Sequence, residues 1–326
     1  MEIKEINFEN KENVHGILKI WDDNIGVLYP LDEKLFVQNY GSDKQRKKIL
    51  GAYDGEKLIG FIIYKQWTSI SGVLKPNHEI GYINSVIVDI EHRNSGAGTA
   101  LLDAAENDLL GRGVKLIHAG SDTNHFFPGI PYEFVNAQKL FSKRGYEMEE
   151  TFYDLICDIS KIEFEKLPGM NINSSQEYKV KMLEENEKEE FFNFFKKNFH
   201  GRWYQEMKDF FEIGMQNRDI VILKDNEKVI GFSHIYDNKS KFIGPSIYWR
   251  KLLLDNYGGL GPIGIDEDYR KKGLGLLILY RSLEILKKRN VKNMVIDWTD
   301  NDILNFYGMF NFLPWKEYRK ATKRIK

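Results

Sequence analysis

Arg93-Asn94-Ser95-Gly96-Ala97-Gly98 and Arg270-Lys271-Lys272-Gly273-Leu274-Gly275 are two copies of one pattern, Arg-x-x-Gly-x-Gly. The second begins 177 residues after the first. Each follows an apolar extended run and opens an amphipathic helix. A strand that turns through glycines into a helix leaves the first backbone N–H groups of that helix unpaired. Those donors and the positive end of the helix dipole form an anion site, and the Arg adds a charged donor. Glycines at the fourth and sixth positions let the backbone approach a pyrophosphate without a Cβ in the way. One copy alone marks many plain turns, so the weight lies in the repetition.

The repeat extends outward from the motif. Ile49–Phe61 and Val221–Phe232 each flank a turn, Asp54-Gly55 or Asp225-Asn226, and each reads as a hairpin. Downstream, Leu140-Phe141-Ser142-Lys143-Arg144-Gly145-Tyr146 matches Phe306-Tyr307-Gly308-Met309-Phe310-Asn311-Phe312. Three blocks in one order, at slightly drifting offsets, indicate a duplicated unit with loop insertions.

The 326 residues suit two units of ordinary domain size. We expect domains over 1–160 and 177–326, joined by a linker over 161–176 that holds Pro168-Gly169 and a polar run from Asn171 to Ser175. The fold class expected is α/β (α+β), each unit a mixed, mainly antiparallel central sheet with helices on both faces. Strands are expected over 80–88 and 258–265, and helices over 274–288 and near 303–310. The 47 basic and 48 acidic residues nearly cancel, which excludes a global nucleic-acid footprint. The basic run Lys316, Arg319, Lys320, Lys323, Arg324 and Lys326 reads as a solvated last strand, with a place near cofactor phosphates as its functional alternative.

Cys157 is the only cysteine, so no internal disulfide is expected. It reads as a small core residue. The seven histidines show no metal-ligand spacing, and no metal is expected. No apolar run approaches the ~20 residues of a membrane helix. Met1-Glu2-Ile3-Lys4 shows no leader, so the expected location is cytoplasmic.

Two other nucleotide cradles fit poorly. The dinucleotide fingerprint belongs at the first turn of a βαβ repeat, whereas hairpins come first here. The phosphate loop of nucleotide hydrolases needs Gly-Lys-Ser or Gly-Lys-Thr, which is absent. The order of strand, two helices, hairpin, long strand, Arg-x-x-Gly-x-Gly, helix, strand, helix with Tyr and final strand resembles the GCN5-related N-acetyltransferase (GNAT) family. The resemblance occurs twice and covers nearly the whole chain.

The resemblance implies acetyl-CoA as cofactor. It implies that Arg93, Asn94, Ser95, Gly96, Ala97 and Gly98 hold pyrophosphate in one unit. Arg270, Lys271, Lys272, Gly273, Leu274 and Gly275 do so in the other. It further implies that Val86, Ile87 and Val88, or Ile263, Gly264 and Ile265, pair with the pantetheine arm. A Tyr on the later helix often protonates the departing thiolate in that family, and the matching positions are Tyr307 and Phe141. A phenyl ring cannot donate a proton, so the C-terminal unit is expected to be catalytic. The family's Asn seven residues before that Tyr is Asp300 here, with Asn301 beside it as the substitute cofactor contact.

Asp255, Asp266, Asp297 and Asp300 are candidate bases, among which the sequence does not choose; Asp266 and Asp268 read first as turn formers. The segment His125–Glu133 reads as an aromatic plug or as a cleft wall. Trp298, Tyr248 and Trp249 read first as core, with acceptor walls as the alternative. The acceptor is a small-molecule amine, a protein N-terminus or a lysine. Two alternatives stay open: catalysis in the N-terminal unit, and an acyl-CoA-binding or regulatory module without turnover. An internal pseudo-dimer is expected, as a monomer or homodimer.

Overall fold

A computed structural model describes residues 1–68, 77–169 and 178–325. Gly72, Pro76, the polar run 171–175 and Lys326 lie outside the described residues. The chain forms two compact units, residues 1–152 with 316–326, and residues 153–315.

The first unit runs β1 (Glu2–Glu5), α1 (Lys11–Ile25), α2 (Glu33–Phe36), β2 (Arg46–Asp54), β3 (Lys57–Gln66), β4 (Ile80–Val88), α3 (Ala97–Gly111), β5 (Leu116–Ala119), β6 (Ile130–Pro131) and α4 (Val135–Lys143). β7 (Glu147–Asp158) follows, and its second half belongs to the other unit. The second unit continues with β8 (Tyr178–Met182), α5 (Lys188–Asn198), α6 (Arg202–Glu212), β9 (Ile220–Asp225), β10 (Lys228–Asp237), β11 (Tyr257–Ile265), α7 (Leu274–Lys288), β12 (Asn293–Thr299) and α8 (Leu304–Gly308). The last strand, β13 (Leu313–Arg324), lies mostly in the first unit.

Within each unit the strands follow one plan. In the first, β1, β2, β3 and β4 pair antiparallel in order, β4 pairs parallel with β5, and β13 closes antiparallel on β5. In the second, β8, β9, β10 and β11 pair antiparallel, β11 pairs parallel with β12, and β7 closes on β12. Both hairpins turn at left-handed residues, Gly55 (φ 60°) and Asn226 (φ 52°), as tight turns of this kind require.

The division differs from a cut at 161–176. Each unit takes its closing strand from the other's stretch of sequence: Lys316–Arg324 completes the first sheet and Tyr153–Asp158 the second. Local pattern cannot reveal this, because a strand looks the same whichever sheet it joins. The described part of the expected linker also packs into the second unit. Ile162, Phe164 and Leu167 are buried with Leu277, Tyr280 and Leu283. After α2 the chain runs on into a widened π-type turn, Val37–Gly41.

The first core joins Ile62, Tyr64 and Ile83 of the sheet to Leu101, Leu102, Ala105 and Leu109 of α3. Beside it lies a buried charge cluster. The Lys65 ammonium sits 2.6 Å from Asp43 and 2.5 Å from Asp122, all three nearly free of solvent. Burial alone would lower the Lys65 pKa, but the two carboxylates outweigh it and raise it. Removing one partner of such a cluster leaves uncompensated charge. Lys65→Met should therefore cost about 3–5 kcal/mol at pH 7 by urea unfolding. Adding Asp43→Asn and Asp122→Asn should recover much of that loss; no recovery would mean that the lysine acts through packing alone.

Candidate active site

Both motif loops are built alike. In the first, Asp89 Oδ1 accepts from the Glu91 N–H at 2.9 Å, and Arg93 Nε donates back to the Val88 carbonyl at 3.2 Å. In the second, Asp266 Oδ1 accepts from the Asp268 N–H at 3.1 Å, and Arg270 Nε donates to the Ile265 carbonyl at 3.3 Å. Each Arg thus ties the turn to the last residue of the strand before it. Asn94 and Lys271 are left-handed at φ 61° and 63°, and Gly96 and Gly273 at 89° and 77°. The fifth position points inward: Ala97 and Leu274 are each 1% exposed and anchor the helix start. Ser95 Oγ donates to the His92 carbonyl at 2.6 Å, and Lys272 lies over the Tyr269 ring.

The parallel strands part just before these loops. β4 pairs with β5 from Ile80 to Ile83, and β11 with β12 from Tyr257 to Leu260. Beyond those points Val86, Ile87 and Val88, and likewise Ile263, Gly264 and Ile265, keep only the neighbour on their other side. A bulge in the pairing with that neighbour falls at the same place in both units. In the first unit the gap opens into a cleft of about 450 Å³, whose lining includes Val86, Ile87, Val88, Arg93, Gly96 and Gly98. A Cβ added at Gly96 would meet nothing within 4 Å. These residues fit a pyrophosphate and an extended arm: open donors at a helix start, then one free strand edge.

The side chains at the fork differ between units. Strand register matches Ile296 to Ala119, so Asp297 of the second unit stands where the first has Gly120. The neighbouring strand carries Gly261 where the first unit has Asn84. Asn84 donates into the cluster at Asp122 Oδ2, 3.0 Å away. A Cβ at Gly261 would lie 2.8 Å from Asp297 Oδ1, so glycine leaves that space to the carboxylate. Asp297 Oδ1 is shielded from solvent and has no hydrogen-bond partner among the described residues. Burial, then the charges of Asp154 and Glu206, push its pKa up to about 8.

Tyr307 on α8 is 5% exposed. Its hydroxyl has no hydrogen-bond partner among the described residues. Burial and then the Asp297 charge raise its pKa well above the ordinary phenol value. Phe141, the matching residue, is buried edge-on against Tyr146 at 4.8 Å and lines the first cleft.

Other residues singled out in the sequence fall elsewhere. Asn301 is exposed in the turn after β12, and Asp300 Oδ1 accepts from the Asp302 and Ile303 N–H groups near the start of α8. Asp255 is exposed. Cys157 is buried, with its thiol pushed up to about 11 by burial. Phe126 and Phe127 fill the first unit's core beside Trp21, and Phe127 also lines the cleft, so the segment is both plug and wall. Tyr248 and Trp249 are buried, whereas Trp298 is partly exposed under the Arg202 guanidinium. The basic run pairs with carboxylates and carbonyls: Lys316 with the Leu28 carbonyl, Lys320 with Glu149 and Glu150, and Lys323 with Glu106. Asp89, Glu91 and His92 lie close enough to share a cation, though Asp89 already caps the turn.

Asp154, Glu206 and His234 were not legible as site residues. The one available signal was the repeat register carried past the glycine motif, which sets Asp297 against Gly120. His234 is fully buried, and burial lowers its pKa to about 3, so it is a neutral imidazole.

A profile of the Acetyltransferase (GNAT) family matches residues 15–127 and again 181–312. The chain belongs to that family, as a tandem member. No curated protein sequence matches it. Among solved structures it is similar to the GCN5-related glucosamine N-acetyltransferase region of a fungal multi-domain GH3 β-N-acetylglucosaminidase, with TM-score 0.84 and 22% identity over 99% of this chain and 38% of that one. It thus spans well under half of that protein. It is also similar to a tandem GNAT protein from the clavulanic acid biosynthesis pathway, with TM-score 0.72 and 12% identity over 99% of this chain and 98% of the other. A GCN5-related N-acetyltransferase from Sphaerobacter thermophilus aligns at TM-score 0.64 and 12% identity over 95% and 92% of the two chains. At these identities the likeness is one of fold.

A raised carboxylate pKa has a consequence for stability. Between the ordinary carboxylate range and about pH 8, folded Asp297 holds a proton that the unfolded chain has released. Stability therefore falls as pH rises through that window. Asp297→Asn removes this loss. Its melting temperature should exceed the parent's by a wider margin at pH 8 than at pH 5, and equal margins would show that Asp297 titrates normally.

Proposed function

We propose that the chain is an acetyl-CoA-dependent N-acetyltransferase whose working site lies in the C-terminal unit and whose acceptor is a small-molecule amine. The observation that carries this is an Asp297 carboxylate close enough to act electrostatically on Tyr307, beside the parted strand of β11. The first unit has Gly120 and Phe141 at those places.

Acetyl-CoA, when bound, supplies an activated acetyl thioester. The loop from Arg270 to Gly275 would hold its pyrophosphate, and the free edge Ile263–Ile265 would hold its arm. Asp297 Oδ1 accepts the proton of the acceptor amine. A base with a pKa near 8 is matched to neutral or mildly alkaline pH. Tyr307 Oη keeps its proton across that range and can give it to the departing sulfur. Asp297, Asp154 and Glu206 suit a cationic amine. The similarity to a glucosamine N-acetyltransferase region makes D-glucosamine the first acceptor to test.

A specific observation favours a second role for the N-terminal unit. Its cleft is open along the same cradle and free strand edge, so it binds the cofactor without turnover.

Thiol release from acetyl-CoA with D-glucosamine and a panel of small amines tests the catalytic assignment. Tyr307→Phe and Asp297→Asn should each lower kcat by about 10²–10⁴-fold. Activity should climb with pH as Asp297 loses its proton toward pH 8, and Asp297→Asn should flatten that climb. Full activity in both variants, with loss in Gly96→Val, would move the site to the N-terminal unit.

Calorimetric titration of acetyl-CoA tests the two cradles. A β-branched residue is strained at the positive φ of Gly96 or Gly273. Two binding sites are expected, with Gly96→Val removing one and Gly273→Val removing the other together with turnover. A single site, lost only in Gly273→Val, would leave the first cradle a structural relic.

A further inference from the structure

The acid–base pair leaves one buried carboxylate without a role. Asp154, in the middle of β7, is 5% exposed. β7 and β12 pair residue for residue from Asn293 with Asp158 to Ile296 with Leu155, and the register then slips so that Thr299 meets Tyr153. Asp297 and Trp298 therefore oppose Asp154 alone. This is a β-bulge, a device that re-aims side chains beside active sites. Trp298 sits at φ 45°, a conformation a bulky residue adopts only when its surroundings enforce it. Two bonds enforce it: the Trp298 N–H donates to Asp154 Oδ1 at 3.2 Å, and Thr299 Oγ1 donates to the Tyr153 carbonyl at 2.9 Å.

We infer that Asp154 is a positioning residue, which fixes the Asp297–Trp298 bulge and sets the charge around the Asp297 carboxylate. The inference rests on Asp297 being the base. The first unit supports it by contrast. Ala321 of β13 pairs with Ala119, as Leu155 pairs with Ile296, so Lys320 stands where Asp154 does. At the matching positions that unit carries neither the base, the acid nor the supporting carboxylate, as expected of residues that serve one task.

The charged and titratable groups facing Asp297 come from four elements: Asp154 on β7, Glu206 on α6, Tyr236 on β10 and Tyr307 on α8. Arg202, which lies over the Trp298 ring, is bound to Glu206 at 2.6 Å. Asp154 is thus the foremost like charge acting on Asp297, and Glu206 the lesser.

The test titrates the full chain, labelled with ¹³C-carboxyl Asp and ¹⁵N-Trp, by NMR. It needs no acceptor. Asp297 is assigned by its loss in Asp297→Asn, and Trp298 by its loss in Trp298→Phe. Asp154→Asn keeps an oxygen acceptor for the Trp298 N–H but removes the charge. Its Asp297 midpoint should fall by about one pH unit while the Trp298 amide stays near its parent position. Asp154→Ala also removes the acceptor, and the Trp298 amide should move. Glu206→Gln should lower the midpoint less than Asp154→Asn. An unmoved midpoint in Asp154→Asn, or an unmoved Trp298 amide in Asp154→Ala, would overturn the inference. Failure of the base assignment shows instead as unchanged acetyl transfer in Asp297→Asn, so the two failures are distinguishable.

Discussion

Each unit depends on a pair of parallel strands that are obliged to part. A glycine turn leading into a helix can cradle an anion only if the first turn of that helix faces open space. The strand before it must therefore leave its partner a few residues early. The parting follows Ile83 in one unit and Leu260 in the other, and the Arg of each motif then ties the strand end to the turn. Main-chain groups that a continuous sheet would have satisfied remain available at the fork. A buried unpaired amide is costly, so such a gap persists only where something else supplies the partner.

The same frame supports two different chemistries at the fork. In the first unit Asn84 reaches Asp122, Asp122 holds Lys65, and Phe141 packs on Tyr146, while Asn84 Oδ1 and Ser85 Oγ find no hydrogen-bond partner among the described residues. In the second, Gly261 withdraws its side chain, Asp297 Oδ1 has no partner, and the Tyr307 hydroxyl has none among the described residues. Unmet polar groups weaken a fold, and their presence at both forks is the pattern expected where stability is yielded to binding or activity.

Features set by local chemistry were legible in the sequence. The apolar run Ile80–Val88, the turns at Gly55 and Asn226, and the helix Leu274–Lys288 follow from alternation, turn residues and helical spacing. Features set by long-range partners were not. Which sheet β7 and β13 complete depends on pairing far along the chain, and nothing in either strand encodes its partner. Lys65 reads as an ordinary polar strand residue until Asp43 and Asp122 arrive from two distant loops. Asp154 carries no motif; its position opposite a bulge exists only once β12 has paired. The contrast of Tyr307 with Phe141 was visible because the duplication aligns them. The contrast of Asp297 with Gly120 lay one step further along that alignment.

As the proposed base, a carboxylate in such a place is a demanding choice. Burial penalises its charged form, and Asp154 and Glu206 penalise it further. An arriving ammonium changes the balance, since it brings a positive charge to the Asp297 carboxylate. If the proton then passes to Asp297, the site holds a neutral carboxylic acid and a neutral amine, and both are favoured by low polarity. The features that raise the Asp297 pKa thus draw a protonated amine in and also help to deprotonate it. Phe141 and Gly120 offer neither effect, which is why an open cleft in the first unit argues for holding a ligand rather than for transforming one.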